Sequence, residues 1–383
     1  QLGWGQMGAL LQLGLKLNNF SIANLLKKNK EHRGFLPIGD GETMSLNAQT
    51  NGKYYQSYGL QYATNWFGGK RPIQFTLGAN FSKSTDVNTS YYSRSYMQNY
   101  YNYMYGVGNY NYNNYENYLD PDKYIQIWGF YAGWGKRLRW PDDYFQLSVQ
   151  LSYQRYILKN WRYFLIMSNG TANNLSLNIS LNRSSTDNQL YPRTGSEFSA
   201  SLSITPPWSK FDKKDYKNLA NDRFSATYQQ EQQEKYRWVE YHKWKFKART
   251  FTALSSGSKC FVLMTRVEFG LLGSYNRYKK SPFETFYMGG DGMSGYSSSY
   301  AQETIGLRGY NNGQLTQRGE GYAYDRMTLE LRYPFLLGNT TVYGLGFVEA
   351  GNAWTETSKF NPFDMKRSAG LGVRRIGTRV LTT

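Results

Sequence analysis

The chain has 383 residues, a formal net charge of +18 and an aromatic content of 17%, with tyrosine the most frequent aromatic residue. Its length suits one large β-barrel or two ordinary domains, and no run of 18 apolar residues is present to form a transmembrane helix. The single cysteine, Cys260, excludes an internal disulfide and a cysteine-based zinc site, and two histidines leave little basis for histidine chemistry.

The composition is compatible with a membrane β-barrel, although the mean hydropathy of −0.67 is low. Only alternate residues of a barrel strand face lipid, while loops and lumen stay polar. The excess of basic residues would suggest nucleic acid in a soluble protein, but these residues are spread along the chain and form no nucleic-acid-binding motif. We therefore expect no nucleic-acid partner and take anionic lipid headgroups as the counter-ions.

Apolar and polar residues alternate with a period of two throughout the chain. In 144–156, Phe145 and Leu147 share one face, and Gln146 and Ser148 share the other. This pattern predicts strands at 1–4, 6–17, 43–50, 54–66, 73–82, 124–137, 144–156, 173–182, 197–205, 236–252, 260–275, 322–333, 341–351 and 367–374. These roughly fourteen strands suit a tilted span of ~9–11 residues and predict an all-β fold, a transmembrane antiparallel β-barrel.

Long and short connections alternate along the chain, as in barrels whose loops are long on one side. Three connections are long, and they cover 83–123, 206–235 and 276–321. Counting the hairpins along the chain places all three on the same side of the membrane, the outer side. The link 18–42 falls on the opposite, periplasmic side and contains Lys27, Lys28, Lys30 and Arg33. These cations either belong to a solvated turn or contact anionic headgroups or a partner.

Segment 91–118 is rich in tyrosine and asparagine. Both residue types are common in adaptable binding surfaces, and stacked aromatic rings can also bind glycans. The segment is therefore either a glycan- or protein-binding surface or an ordered lid over neighbouring loops, with aggregation-prone low complexity as a third interpretation.

The segment between strands 260–275 and 322–333 contains the most specific motif of the chain. Its glycines permit tight folding and close backbone approach, and they are Gly289, Gly290, Gly292 and Gly295. The run that follows consists of Leu307, Arg308, Gly309 and Tyr310. Strand 341–351 then contributes a single acidic residue, Glu349.

Together with 18–21, 52–58, 65–69 and 367–372, this motif resembles the barrel domain of the BamA-like outer-membrane protein insertases, in their Bacteroidota-type form. The resemblance implies a C-terminal transmembrane β-barrel domain over 1–383, with sixteen strands and with periplasmic peptide-binding domains before it in the whole protein. It implies a place in the bacterial outer membrane, and the folding and insertion of unfolded β-barrel clients through a lateral seam between the first and last strands. Accessory assembly lipoproteins or other outer-membrane subunits, and outer-membrane lipids including lipopolysaccharide, are the remaining implied partners; no cofactor is implied.

By this resemblance the loop folds back into the lumen, where Arg308 meets acidic residues of the inner wall. Alternation places four residues of strand 322–333 on the inside: Arg326, Thr328, Glu330 and Arg332. Glu330 is therefore one expected partner, and Glu349 is the second, at a position where the family usually has aspartate. Removing one partner of an enclosed pair leaves the other charge unpaired, which is costly. Three apolar residues of the same inner face are expected to pack against the inserted loop: Tyr343, Leu345 and Phe347.

A second set of charges alternates along one predicted strand and consists of Lys243, Lys245, Lys247 and Arg249. Because apolar residues such as Trp244 lie between them, the four cations are expected to line the lumen. They either balance acidic loop residues such as Asp291 or form a cationic lumen that attracts anions, as in an anion-selective pore.

No catalytic constellation is present in the sequence. It has no nucleophile elbow, no phosphate-binding glycine loop and no metal-ligand spacing, and the run 289–292 lacks the further ligands of a calcium loop. We expect no enzymatic activity, no metal and no cofactor. Two other functions stay open: a two-partner-secretion-type transporter of the same superfamily, and a passive porin or surface-binding barrel.

Overall fold

The computed structural model describes residues 2–5, 8–21, 24, 32–33, 36–67, 73–87, 119–161, 167–212, 214–222, 224–257, 259–290, 303–316, 321–338 and 340–377. Several predictions fall outside these residues and stay predictions. They concern segment 91–118, Lys27, Lys28, Lys30, Asp291, Gly292 and Gly295.

The described chain is built almost entirely of strands. They are β1 (Leu2–Gly5), β2 (Gly8–Phe20), β3 (His32–Arg33), β4 (Leu36–Asn51), β5 (Tyr55–Thr64), β6 (Ile73–Val87), β7 (Leu119–Arg137), β8 (Phe145–Lys159), β9 (Gly170–Ser184), β10 (Gly195–Ile204), β11 (His242–Ala253), β12 (Val262–Gly273), β13 (Phe286–Met288), β14 (Glu303–Ile305), β15 (Ala323–Leu336), β16 (Thr340–Trp354) and β17 (Lys366–Gly377). Two short helices, α1 (Trp208–Phe211) and α2 (Tyr228–Tyr236), lie between β10 and β11. A 3₁₀ turn, Thr357–Lys359, lies between β16 and β17.

Strands that follow one another along the chain are neighbours in the sheet. The order is β1-β2-β4-β5-β6-β7-β8-β9-β10-β11-β12-β15-β16-β17, and β3, which pairs with β4, completes a sheet of fifteen strands. The short strands β13 and β14 form a separate parallel pair inside the long connection from β12 to β15. None of the helices in the described residues is long and apolar enough to cross a membrane.

The chain divides into two compact units. Unit 1 comprises residues 1–135, 150–176 and 212–239, and unit 2 comprises residues 136–149, 177–211 and 240–383. In unit 1, β2, β4, β5 and β6 pair antiparallel, and exposed apolar side chains follow one another on alternate positions, as at Leu11, Leu13 and Leu15. This is the pattern of strands with one face toward lipid.

Unit 2 shows the same alternation, with one face covered and the other exposed. On β15, Met327, Leu329 and Leu331 are exposed, whereas Thr328 and Glu330 are buried. The strands around it, β11, β12 and β16, pair antiparallel, and the β15–β16 register shifts between Pro334 and Leu336. The buried, largely polar face is called the covered face below.

A small apolar cluster lies at one end of the covered face of unit 2. It consists of Tyr191, Phe251, Cys260, Val262, Met264, Tyr343 and Leu345. The structure thus places Tyr343 and Leu345 in this cluster, whereas the sequence predicted that they pack against the inserted loop. The ring of Tyr343 lies 5.2 Å from that of Tyr191, a residue of the β9–β10 turn, because both positions lie at the turn end of their strands. Phe347 contacts the inserted loop, through Arg308.

Two predicted boundaries are also corrected by the structure. Residues 236–241 do not begin β11, because Tyr236 ends α2, a helix with a polar sequence that has no apolar period to reveal it. The link 18–42 is shorter than predicted, since β2 continues to Phe20 through a register shift and β4 already begins at Leu36.

The turn between β9 and β10 is held by Asp187. Its carboxylate accepts hydrogen bonds from the backbone N–H groups of Arg193 and Thr194, at 2.8 and 3.1 Å, and from Arg193 Nε at 3.2 Å. Burial acts to raise the pKa of this carboxyl, but the hydrogen bonds outweigh burial and hold the pKa below its ordinary value.

The depressed pKa of Asp187 leads to a pH-dependent prediction. Its stabilisation is present above the unfolded-state pKa of roughly 4 and is lost as the pH falls through the folded-state value. We expect Asp187→Asn to lower the free energy of unfolding by up to about 1 kcal/mol at neutral pH and by less in acid. Urea unfolding of both proteins at neutral and acidic pH measures this difference. An equal loss at both pH values would contradict the prediction.

Candidate functional site

The connection from β12 to β15 folds onto the covered face of unit 2 and forms an inserted loop with its own small core. Five of its described apolar residues are almost fully buried, and these are Phe283, Phe286, Met288, Ile305 and Leu307. Gly289 and Gly290 have φ values of +133° and +79°, a region that side chains with a Cβ rarely enter. Gly290 forms a bridge to Leu307, so the glycine run and the Arg-Gly-Tyr motif lie against each other.

Two glycines on the strands make room for this loop. A Cβ on Gly270 of β12 would come within 2.9 Å of the Phe286 ring, and a Cβ on Gly351 of β16 would come within 2.8 Å of Met288 Cε. The loop therefore approaches the strand backbones more closely than any other residue at these positions would allow. The ring of Phe286 also packs edge-on against Tyr324, at 4.7 Å.

Arg308 connects this loop to two strands at once. Its Nη2 and Nε donate to Glu349 Oε1 at 2.6 and 3.0 Å, and its backbone N–H donates to Glu349 Oε2 at 2.9 Å. Its Nη1 lies 2.9 Å from Glu330 Oε2, and its guanidinium stacks 3.6 Å above the Phe347 ring. Both carboxylates are buried, with side-chain exposures of 0% for Glu349 and 1% for Glu330.

The strand register explains why one guanidinium reaches both carboxylates. Glu330 of β15 is opposite Phe347 of β16, and Thr328 is opposite Glu349. Glu330 and Glu349 are therefore diagonal neighbours on the covered face, within reach of a long side chain. We call Arg308, Glu330 and Glu349 the loop anchor.

Each carboxylate of the loop anchor is shared with an arginine of β15. Arg326 Nη2 donates to Glu349 Oε1 at 2.9 Å, and Arg332 Nε donates to Glu330 Oε1 at 2.6 Å. Thr328 Oγ1 adds a hydrogen bond of 3.2 Å to Glu349. Each carboxylate is therefore held both by the loop and by an arginine of the sheet, which fixes its orientation.

The rest of the motif contacts the last strand of the sheet. Tyr310 donates its hydroxyl hydrogen bond to the backbone oxygen of Arg367 on β17, at 2.9 Å. Gly309 has a φ of +89°, and a Cβ at this position would come within 2.9 Å of Ser368 Cβ. The Arg-Gly-Tyr motif thus binds β15 and β16 through Arg308 and β17 through its next two residues.

The four alternating cations of β11 all have carboxylate partners. Lys243 and Lys245 both lie 3.0 Å from Glu303 of the inserted loop, and Lys243 also lies 3.6 Å from Glu284. Two further pairs are Lys247 with Glu268 and Arg249 with Glu197. These pairs favour the interpretation of charge balance over that of a free cationic pore lining. The acidic partners are Glu303, Glu284, Glu268 and Glu197, and Asp291 lies outside the described residues.

The structure brings together most of the residues singled out from the sequence. Arg308 contacts the two carboxylates paired with it by alternation, while the role of these residues stays a prediction. Sequence reasoning placed Arg326 on the inner face without recognising that it shares Glu349. It missed Glu268 and Glu303 as well. The glycines of β12 and β16 at inward positions were a usable signal, because an inward glycine marks a close backbone approach.

In the described part of the chain, no group of three or more His, Cys, Asp or Glu residues has the arrangement of a metal site. The carboxylates of the covered face are instead engaged by arginine and lysine. The site is therefore suited to holding a loop in place.

A family model described as the Omp85 superfamily domain matches residues 38–377. The crystal structure of BamA from Haemophilus ducreyi lacking POTRA domains 1–3 aligns with a TM-score of 0.56 and 15% identity, over 97% of this chain and 62% of that chain. CdiB from Escherichia coli aligns with a TM-score of 0.49 and 10% identity, over 97% of this chain and 53% of that chain. No protein with a curated description matches the chain.

The likeness to BamA confirms the predicted fold class, a transmembrane antiparallel β-barrel. At 15% identity it extends to the fold alone, and the chain spans 62% of the length of that BamA chain. Most of the chain lies within the matched family domain, including the loop anchor and the whole inserted loop.

Proposed function

Since the chain belongs to the Omp85 superfamily, whose members are outer-membrane β-barrels, we propose that it is the C-terminal barrel domain of an insertase that folds β-barrel clients into the bacterial outer membrane. Its substrates are unfolded outer-membrane proteins, and its further partners are accessory lipoproteins and outer-membrane lipids, including lipopolysaccharide. The proposal includes no nucleotide, metal or enzymatic step.

The observation that carries this proposal is the loop anchor and its place beside the edge of the sheet. Among the described strands, β1 and β17 are the two ends of the strand order. An edge strand presents unpaired backbone N–H and C=O groups, onto which another strand can add. The inserted loop reaches β17 through Gly309 and Tyr310, so it fixes the strand that a client would meet.

In the mechanism that follows, the inserted loop makes β15, β16 and β17 rigid, and the edge of β17 is where a client strand adds. The inserted loop ties β15, β16 and β17 together from the covered face through Arg308 and Tyr310. The outer face of β17 remains highly exposed, with Leu371 at 90% and Val373 at 71%. A client strand that adds at this edge exchanges solvent or lipid contacts for backbone hydrogen bonds, and the braced edge keeps the register of the addition fixed.

Assembly of an unfolded barrel client into proteoliposomes tests this function. We expect the full-length protein to accelerate client folding well above empty liposomes, and Arg308→Ala to reduce this acceleration at least tenfold, about 1.4 kcal/mol of barrier. Arg308→Lys keeps the charge but loses the convergent donors, so an intermediate rate is expected. Arg139→Gln, an exposed arginine of the β7–β8 turn, is the matched control and should keep the full rate.

Exchanging the charges of Arg308 and Glu349 is a weaker test than the single substitutions at Arg308. Arginine at position 349 would lie beside Arg326, and glutamate at position 308 would lie beside Glu330, so rescue is not expected. A lack of acceleration over empty liposomes would overturn the proposal. Secretion of a single dedicated substrate would then indicate a two-partner transporter, and steady ion conductance would indicate a passive pore.

A further inference from the structure

Positive charge is in excess around Glu268 on the covered face of unit 2. This carboxylate faces three cations: Lys247 Nζ at 3.2 Å, Arg266 Nε at 3.5 Å and Arg326 Nη1 at 3.9 Å. The side chain of Glu268 is 7% exposed, and those of Arg266 and Arg326 are 16% and 11% exposed. One carboxylate cannot neutralise three cations in so little water.

The neighbouring loop anchor does not remove this excess. Arg326 also binds Glu349, and Glu349 and Glu330 are already engaged by Arg308 and Arg332. The connected network contains five cations and three carboxylates, and its members are Lys247, Arg266, Arg308, Arg326, Arg332, Glu268, Glu330 and Glu349. Two positive charges are therefore left without a counter-charge in the described part of the network.

Two donors of the same arginines lack acceptors. The Nε atoms of Arg266 and Arg326 are buried, and neither makes a hydrogen bond within the described residues. Arg266 Nε lies 3.5 Å from Glu268 Oε1, which is likewise buried and makes no hydrogen bond within the described residues. A buried donor without an acceptor is costly, and for an ionised group the cost is larger.

The unpaired groups border one cavity. A cavity of about 440 Å³ lies between the inserted loop and the sheet, and it is lined by cations, among them Lys247, Arg266 and Arg326, and by the carboxylates of Glu268, Glu303 and Glu330. Arg374 of β17, an exposed arginine, also lines this cavity. The volume is much larger than the ~30 Å³ of a single water molecule, so an ion of several atoms fits.

We propose that this cavity binds an oxyanion of the phosphate class. A dianion suits this excess of positive charge, and guanidinium groups recognise phosphate oxygens by paired hydrogen bonds. Arg266, Arg326 and Lys247 supply cationic side chains to the lining, and Arg374 contributes from the rim. The three carboxylates of the lining are each engaged by a cation: Glu268 by Lys247, Glu303 by Lys245 and Glu330 by Arg332. The bound anion links β12, β15 and β17 beneath the inserted loop.

Calorimetric titration and thermal unfolding of the full-length protein in detergent test this site, with inorganic phosphate as the probe and ionic strength held constant with chloride. We expect saturable phosphate binding and a rise in the unfolding midpoint that chloride does not produce. Arg266→Gln is expected to weaken phosphate binding at least tenfold, about 1.4 kcal/mol. Arg139→Gln, an exposed arginine outside the cavity, should bind phosphate as the unaltered protein does.

The side chain of Arg266 is largely buried, so Arg266→Gln also disturbs packing and a second variant with less effect on the fold is needed. Lys247→Gln combined with Arg374→Gln changes a half-exposed and an exposed cation and should also weaken phosphate binding. Tighter binding of glycerol 3-phosphate than of inorganic phosphate would support the site and identify a phosphorylated organic ligand, whereas equal binding would support free phosphate. Equal effects of phosphate and chloride, or unchanged binding in the double variant, would overturn the proposal.

Discussion

Replacement of Glu349 by glutamine is expected to lower the free energy of unfolding by roughly 3–5 kcal/mol. The side chain of Glu349 is 0% exposed, and it accepts hydrogen bonds from Arg308, Arg326 and Thr328. Glutamine keeps the shape but removes the charge, so two arginines lose their shared counter-ion. Its amide group would also direct N–H donors toward other donors.

Urea unfolding followed by tryptophan fluorescence and by heat-dependent gel mobility measures this loss. Glu356→Gln is the matched control, because Glu356 is an exposed residue of the β16–β17 turn whose pair with Lys359 is solvated. We expect the control to change the free energy of unfolding by less than about 0.5 kcal/mol. Similar losses for the two variants would mean that Glu349 is not a buried anchor.

Gly289→Ala is expected to detach the inserted loop and to lower the free energy of unfolding by roughly 2–3 kcal/mol. The φ of Gly289 is +133°, and an added Cβ would collide with the backbone oxygen of Asn311. Backbone atoms cannot move aside as the end of a flexible side chain can. The clash would therefore displace the run 311–314, which follows the Arg-Gly-Tyr motif directly.

Gly257→Ala is the control that separates the effect of the steric clash from the effect of backbone strain. Gly257 has a similar φ of +106°, but no atom lies within 4 Å of an added Cβ. We expect this control to lose about 1 kcal/mol from strain alone and to leave the inserted loop in place. Limited proteolysis of segment 274–322 reports on the loop directly. Equal cleavage rates in the two variants would contradict the steric explanation.

The strands and their faces were predictable because alternation is a local property. The exposed Met327, Leu329 and Leu331 follow directly from the period of two, and most strand boundaries agree within a few residues. The polar helix α2 was not predictable from pattern. Only Tyr236 of this helix is buried, so its sequence has no apolar face to indicate a helix.

The candidate site was likewise predictable only in part. Resemblance named Arg308, and alternation placed Glu330 and Glu349 on the face that it reaches. The sharing of each carboxylate with Arg326 and Arg332 could not be read from the sequence, because it depends on the registers of β12, β15 and β16. The same registers decide which acidic residue neutralises each cation of β11.

By itself, the sequence determined the class of fold, the residues on each strand face and the glycine-rich loop with its arginine. These depend on neighbours along the chain, through side-chain alternation and glycine backbone freedom. Only the tertiary structure decided how charges far apart in sequence combine on the covered face. The path of the inserted loop and the stagger between strands fix those distances, and the energy of buried charges depends on distances of a few ångströms. The excess of positive charge around Glu268 is therefore a property of the folded chain alone.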